Sequence, residues 1–384
     1  MAKIKPFRGF RYNTEKAGSL EDLVTPPYDV INENAEKAYI SRNQYNIIRL
    51  DITKNTPNKG EYAGNRYLEP EQLLKEWLKE DILVQDDDDS IYCYDIDYSL
   101  PGKNRVIRRG FVCLVALSEF SEGVIKPHEK TFSSVIEDRL ELTRRCRAQF
   151  SKVFGVYSDK DNKVISALAS AEGIVAGSVV DADGHLHQIS KISDPDIISH
   201  IADIIDNKCI YIADGHHRYT TALSYRNELR KKGLISEAAP ENFIMMYLTP
   251  IEDAGLSILP THRLILAEAG FDISAFLDSL KGLFHLTEIK GGSREILAAG
   301  IIDAMKELSE SAENGAPRPC LGLYYPEADR GWVLQYATET DSILANMHPS
   351  VRNLQANILS EVIVERLLKL DPVKSEKENH ITYY

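Results

Sequence analysis

Cysteine pairs, long apolar runs and an excess of positive charge are all missing from this chain, and each absence removes a class of function. The five cysteines, Cys93, Cys113, Cys146, Cys209 and Cys320, are odd in number, widely spaced and free of any C-x-x-C pair. A disulfide framework is therefore not expected, and they read as reduced core thiols of a cytosolic protein. No uninterrupted apolar run approaches the ~18 residues that a membrane helix needs. Met1 to Phe10 carries Lys3, Lys5 and Arg8 with no apolar stretch behind them, so neither a targeting segment nor an anchor is expected, and the chain is placed in the cytoplasm. Lys plus Arg total 45 against 58 for Asp plus Glu, a net charge of −13. Such a field repels phosphodiester backbones and disfavours nucleic-acid binding. No G-x-x-x-x-G-K-[ST] loop occurs either, so a nucleotide, if bound, is held by other means.

What is present is an ordinary globular composition. With 384 residues, 43% hydrophobic and 27% charged, the chain is long enough for two or three domains, each with its own core. Repeats and low-complexity tracts are absent. Leu73, Leu74, Trp77 and Leu78 recur at helical spacing within residues 71–79, and strand-like runs follow at 91–96 and 110–116. Further on come a helix over 134–149, a strand over 152–157, a helix over 194–205, a strand over 208–213 and another over 243–248. A helix-strand-helix-strand series then ends near Ala337. The polar stretch 53–65, the acidic run 86–89 and the segment 311–319 read as loops. The expected class is α/β, of mixed α and β order. A soft boundary near Glu268 gives an N-terminal α/β part (1–105), a central part (106–267) and a smaller C-terminal α/β domain (268–384).

The chemistry concentrates in the central part. Cys209 to Ala213 reads as a strand, Asp214-Gly215-His216-His217-Arg218 as a turn, and Tyr219 to Lys232 as a helix with Tyr219, Ala222, Leu223, Arg226 and Leu229 on one face. Arg230, Lys231 and Lys232 complement the negative end of the helix dipole, and Gly233 is a natural stop. The opposite end presents unpaired N–H groups where Gly215 permits close backbone approach and where two imidazoles and a guanidinium project. That is an anion pocket. The plainer alternative is that Asp214 caps the helix and the histidines are polar surface residues. A metal held by the adjacent His216 and His217 is disfavoured, because neighbours on a turn seldom face one ion.

A second constellation is Lys126-Pro127-His128-Glu129-Lys130-Thr131, followed by Glu137-Asp138-Arg139. Glu129, flanked by cations, is expected to stay ionised and to serve as a general base, or as a carboxylate beside a metal, provided that the fold brings it to the Asp214 turn. A charged surface loop is the alternative. Thr25-Pro26-Pro27-Tyr28-Asp29 is a stiff segment able to line a site with Asp29. Pro260-Thr261-His262-Arg263 adds an imidazole and a guanidinium suited to phosphate or carboxylate.

With these residues the sequence resembles the family catalogued as domain-of-unknown-function family 1015, through PFRGFRYN, TPPYDVI, GVIKPHEKT, EDR, IADGHHRYTTAL and LPTHR, from Pro6 to about Leu266. Two motifs, KPHE at Lys126 to Glu129 and DGHHR at Asp214 to Arg218, also resemble the free-serine kinases of the ParB/sulfiredoxin superfamily. That second resemblance implies a ParB/sulfiredoxin-like core with a large insertion. It implies further that Glu129 takes the proton of a substrate hydroxyl, that Asp214 assists through Mg2+ or positions the hydroxyl, and that Gly215, His216, His217 and Arg218 hold nucleotide phosphates. His128, Arg139, His262, Arg263 and Asp29 are secondary candidates. Those kinases carry a further phosphate element near the C-terminus, whereas this chain stops at Ile381-Thr382-Tyr383-Tyr384, as a truncated chain or one lacking the element. The expected partners are a nucleotide, ATP or ADP, and a small hydroxylated metabolite such as serine, with no membrane. A homo-oligomer is compatible with the sequence. The leading expectation is thus a small-molecule kinase, and the alternative a nucleotide sensor of ATP or CTP without kinase activity.

Overall fold

In the computed structural model the described residues are 1–51, 65–100, 104–129, 131, 133–259, 262–267, 270–310, 318–328, 330–337, 344–345, 347, 349–370 and 380–383. Most of the loop 53–65, nearly all of 311–319, Lys130, Pro260, Thr261 and the boundary residue Glu268 lie outside them. The chain divides into two compact units, Met1–Ser257 and Ile258–Tyr384.

Period-two alternation of apolar side chains along the chain of the first unit dictates strands with a buried face. They are β1 (Ile4–Lys5), β2 (Phe10–Tyr12), β3 (Leu83–Gln85), β4 (Ile91–Tyr98), β5 (Val106–Ala116), β6 (Ile125–Lys126), β7 (Val153–Tyr157), β8 (Ile174–Val180), β9 (Leu186–Ile192), β10 (Ile210–Asp214) and β11 (Phe243–Pro250). Eight of them form one mixed sheet in the order β6-β10-β7-β11-β5-β4-β9-β8, and β1 joins beside β5. The β6–β10 and β7–β11 pairs are parallel. The mixed α/β class expected from the sequence is the class that the chain adopts. A division after residue 105 is not found, because β4 and β5 pair from Tyr92↔Val112 to Tyr98↔Val106 across it.

One face of this sheet is apolar. Phe111, Cys113 and Val115 of β5, with Ile244, Met246 and Leu248 of β11, pack under Ile198, Ile201 and Ile205 and under Tyr219 and Leu223. The first three of those covering residues lie on helix Pro195–Asp206, whose N-cap Asp194 accepts from the N–H groups of Asp196 and Ile197. Tyr219 belongs to helix His216–Lys231 and is fully buried; its Oη accepts from Ser118 N–H at 2.9 Å and donates to Ser118 O at 2.8 Å. Those two bonds clamp the helix to the chain leaving β5. The other face carries Tyr92, Val112 and Tyr247, with Tyr94, Phe154 and Ile189 packed against them. All five cysteines are free thiols, as expected.

Two element ends differ from the sequence reading, each for a local reason. The helix following DGHHR begins at His216, not Tyr219, because Gly215 (φ 91°) turns the chain within a single residue. The helix expected to reach 149 ends at Cys146, where Arg147 takes φ 49°. The second unit contains β12 (Arg263–Ile265), β13 (Phe284–Lys290), β14 (Cys320–Tyr325), β15 (Arg330–Tyr336) and β16 (Ile381–Tyr383). Its three-stranded sheet β13-β15-β14 and helices Ile273–Leu280 and Arg294–Glu310 enclose their own cores. No helix among the described residues is long and apolar enough to cross a membrane.

Candidate functional site

The pairing of β6 with β10 sets the site. The two short strands run parallel, Ile210 beside Ile125 and Tyr211 beside Lys126. Pro127-His128-Glu129 and Asp214-Gly215-His216 therefore leave the same end of the sheet side by side, the end at which open α/β sheets bind ligands. Glu129 Oε2 lies 3.2 Å from His216 Nδ1. His216 is 2% exposed, and its Nε2 accepts the backbone N–H of His128 at 3.3 Å. A nitrogen that accepts carries no proton, so the neutral ring holds its proton on Nδ1, the atom facing Glu129. The approach is close in distance but off-line in angle, since Nδ1 has no well-aligned hydrogen bond among the described residues. The His128 ring stands edge-on to His216, with centroids 4.4 Å apart.

The electrostatics follow from these contacts. His216, whose Nδ1 faces the carboxylate at 3.2 Å, with the charges of His217 and His128 added, holds the Glu129 carboxyl below its ordinary range. Glu129 is thus ionised at neutral pH, as expected, although it is a weak base. His128 and His217 are both held below the ordinary imidazole value, chiefly by loss of water around them.

At the start of helix His216–Lys231 the N-cap is Gly215, and no side chain caps it. Asp214 does not take the capping role. Its Oδ2 instead accepts from Arg218 Nη2 at 2.5 Å, and the same nitrogen reaches Asp29 Oδ2 at 3.4 Å. Arg218 Nη1 also donates to the Lys152 carbonyl. The positive end of the helix dipole thus lies here with no N-cap side chain on it. Gly215 is required twice over, by its positive φ and because a Cβ would stand 3.1 Å from Arg218 Cζ and 3.3 Å from Val153 Cα.

Asp29 arrives from far away in the chain. Pro26 and Pro27 stiffen the approach to a single 3-10 turn, Tyr28–Val30. Tyr28 is buried, and the Arg139 guanidinium lies 4.4 Å over its ring. Arg139, itself 5% exposed, donates to Asp138 Oδ2 at 2.6 Å and to the carbonyl and Oδ1 of Asp51 at 2.5 and 3.3 Å. Burial pushes the Asp51 carboxyl up. Arg139 therefore ties the TPPYD and EDR segments together, its Nε, Nη1 and Nη2 each already donating to Asp138 or Asp51.

Of the residues singled out in the sequence, Asp29, His128, Glu129, Arg139, Asp214, Gly215, His216, His217 and Arg218 belong to this one region of the first unit. His262 and Arg263 belong to the second unit, where Arg263 Nη2 reaches Ser360 Oγ at 3.2 Å. Sequence reasoning missed Asp51 and Lys152. Asp51 stands at the edge of a polar stretch and Lys152 at the mouth of an apolar strand. A charged residue bordering an apolar run was the available signal in both cases. Asp214 is also absent from the one group of three metal-type ligands found among the described residues, Asp181, Asp183 and His185. That group closes the β8–β9 hairpin, with Asp181 Oδ1 accepting from the N–H groups of Asp183 and His185. An open depression of about 500 Å³ beside Lys163, Ser166, Asp196 and His200 contains none of the motif residues.

No curated protein and no solved structure matches the chain. The sequence profile of one family matches residues 4–356, well beyond the motif-bearing part and into the second unit. The chain therefore belongs to the family described as protein of unknown function, DUF1015.

Proposed function

We propose that the protein is a nucleotide-dependent phosphotransferase acting on the hydroxyl of a small metabolite, serine or a similar molecule. The observation that carries this reading is the uncapped N-terminus of helix His216–Lys231, with its own aspartate diverted to Arg218 and a carboxylate, Glu129, held beside it by His216. The resemblance of KPHE and DGHHR to the serine kinases of the ParB/sulfiredoxin superfamily supports it. On this reading the N–H groups of the first helical turn and Arg218 receive the phosphates of ATP or ADP. Glu129 accepts the proton of the acceptor hydroxyl as the new O–P bond forms. Phosphoryl transfer passes through a loose transition state, so positioning matters more than base strength and a carboxylate of low pKa suffices. Magnesium, arriving with the nucleotide, would neutralise phosphate charge. Asp214 and Asp29, which converge on one guanidinium nitrogen, would be the carboxylates that hold it.

The second reading is a sensor that binds ATP or CTP at the same turn without transferring a phosphoryl group, and the lowered basicity of Glu129 favours it. Purified protein incubated with ATP or ADP, magnesium and a panel of hydroxylated amino acids, read by mass spectrometry, separates the two. A phosphorylated product supports transfer; nucleotide binding with no product from any acceptor supports the sensor.

A further inference from the structure

The aromatic face of the first unit's sheet holds two cations that the phosphate turn does not use. Lys152 Nζ lies 4.9 Å over the Tyr94 ring. The Arg108 guanidinium lies 5.0 Å over Phe154 and 5.6 Å over Tyr247. Tyr94 and Tyr247 meet edge to face at 5.3 Å, and Phe154 lies 5.2 Å from Tyr247, so the two charges stand over one continuous floor of three rings. Neither cation forms an ion pair among the described residues, whose carboxylates lie beyond 4.0 Å of both.

Two features show that the floor is built. Gly110 lies beneath it, and a Cβ there would come within 2.5 Å of the Tyr247 ring and 2.4 Å of the Leu248 carbonyl, so only glycine lets that ring lie against the sheet. Tyr94 is fixed from the other side, its Oη 2.7 Å from His187 Nδ1 while His187 Nε2 reaches Asp181 Oδ2 at 3.0 Å. Buried polar atoms remain: Arg108 Nε and Tyr247 Oη have no well-aligned hydrogen bond. Both residues are half-buried, unmatched cations partly withdrawn from water are costly, and ring faces cover only one side of each.

We propose that Arg108 and Lys152 together form an oxyanion-binding site that takes a carboxylate or phosphate group of a small-molecule ligand. The site adjoins the phosphate turn, because the Lys152 carbonyl is the acceptor for Arg218 Nη1. Burial and the nearby charges of Arg218 and Arg108, against the opposing pull of Asp214, bring the Lys152 ammonium down to about 8. That is the behaviour of a lysine lacking its counter-ion. Assignment of the site to the acceptor's anionic group rests on the phosphotransfer reading; the existence of the site does not.

Trace labelling with acetic anhydride at pH 8, with the Lys152 peptide quantified by mass spectrometry, tests this at matched ionic strength in chloride, inorganic phosphate, malonate, or ATP with magnesium. A bound oxyanion that raises the lysine by about one unit leaves roughly fivefold less neutral amine to react. The expected result is slowing of about that size by at least one oxyanion, lost in Arg108→Gln and kept in Arg108→Lys. Protection by malonate or phosphate that persists under saturating ATP supports the site and gives it to the acceptor. Protection by ATP alone supports it and gives it to the nucleotide. Equal labelling in all four solutions, or protection unchanged in a folded Arg108→Gln variant, overturns the proposal. Protection without turnover of any acceptor leaves this site standing while the phosphotransfer reading fails.

Discussion

Two helices of the first unit start in similar settings and end up with opposite chemistry. Helix Pro195–Asp206 follows an aspartate, Asp194, whose carboxylate accepts from two first-turn N–H groups, and Pro195 occupies the position that needs no donor. Helix His216–Lys231 also has an aspartate just before it, yet Asp214 turns to Arg218 and no N-cap side chain closes the helix. Capping is worth about 1 kcal/mol; helices Leu68–Lys79 and Lys163–Ser170 also lack a side-chain cap, but here the uncapped end lies beside His128 and Glu129 and the Asp214–Arg218–Asp29 cluster. On that contrast the proposed nucleotide site rests.

The largest expected effect falls on the chemistry at the open terminus. In an active phosphotransferase, Glu129→Gln keeps the shape but cannot accept the proton, so turnover should drop by roughly 10²–10⁴-fold while nucleotide affinity stays almost unchanged. Steady-state rates and calorimetry on the same preparation check this. Wild-type turnover would make the Glu129 loop structural.

Next in size is Arg218→Ala. It removes a charge-assisted contact to the nucleotide and releases Asp214, which can then swing back to cap its helix and make the two helices alike. Affinity for ATP should weaken by about 1.5–3 kcal/mol. Unchanged binding in calorimetry would mean that the phosphates bind elsewhere.

A pair of small substitutions sharpens the contrast from the stability side. Asp194→Ala should lower unfolding stability by about 1 kcal/mol, the value of a lost cap. Asp214→Ala should cost less, because an exposed ion pair contributes little. Urea midpoints with equal slopes measure both, and equal losses would contradict the capping assignment.

The smallest effect is on acid sensitivity. Glu129 has a folded value below its usual 4.5, so its contribution is complete above that value and is lost as pH falls through the lower folded one. His128 and His217 sit below 6.5 when folded, so the unfolded chain takes up protons first as pH drops under 6.5, and stability declines from there. Melting temperatures measured downward from pH 7 should fall in wild type and fall less in the double variant His128→Gln, His217→Gln.

Much of this site was legible in the sequence because its key geometry is local. A strand, a glycine and a helix within a few residues foretell the open N-terminus at DGHHR, and the apolar face of residues 219–232 foretells burial of Tyr219 and Leu223. The same reading placed Arg226 on that face, and it is buried, with its charge met by Glu119 and the Leu117 carbonyl. What could not be read were pairings set by the sheet. Asp29 and Arg218 are separated by 189 positions, and only the fold brings them to 3.4 Å. Tyr94 and Tyr247 look like ordinary residues of apolar strands. Register alone puts both on the face opposite the helix-covered one, under Lys152 and Arg108. Asp51 gave no sign of burial, because its partner Arg139 comes from a helix 88 positions later.

A nucleotide phosphate at the uncapped helix end is the central requirement of the proposed function. Amide NMR of the labelled protein during titration with ATP and magnesium measures this directly. The predicted result is selective displacement of the Gly215, His216, His217 and Arg218 amide signals, with the capped amides of Asp196 and Ile197 unmoved. Saturable nucleotide binding that leaves those four signals in place would contradict it.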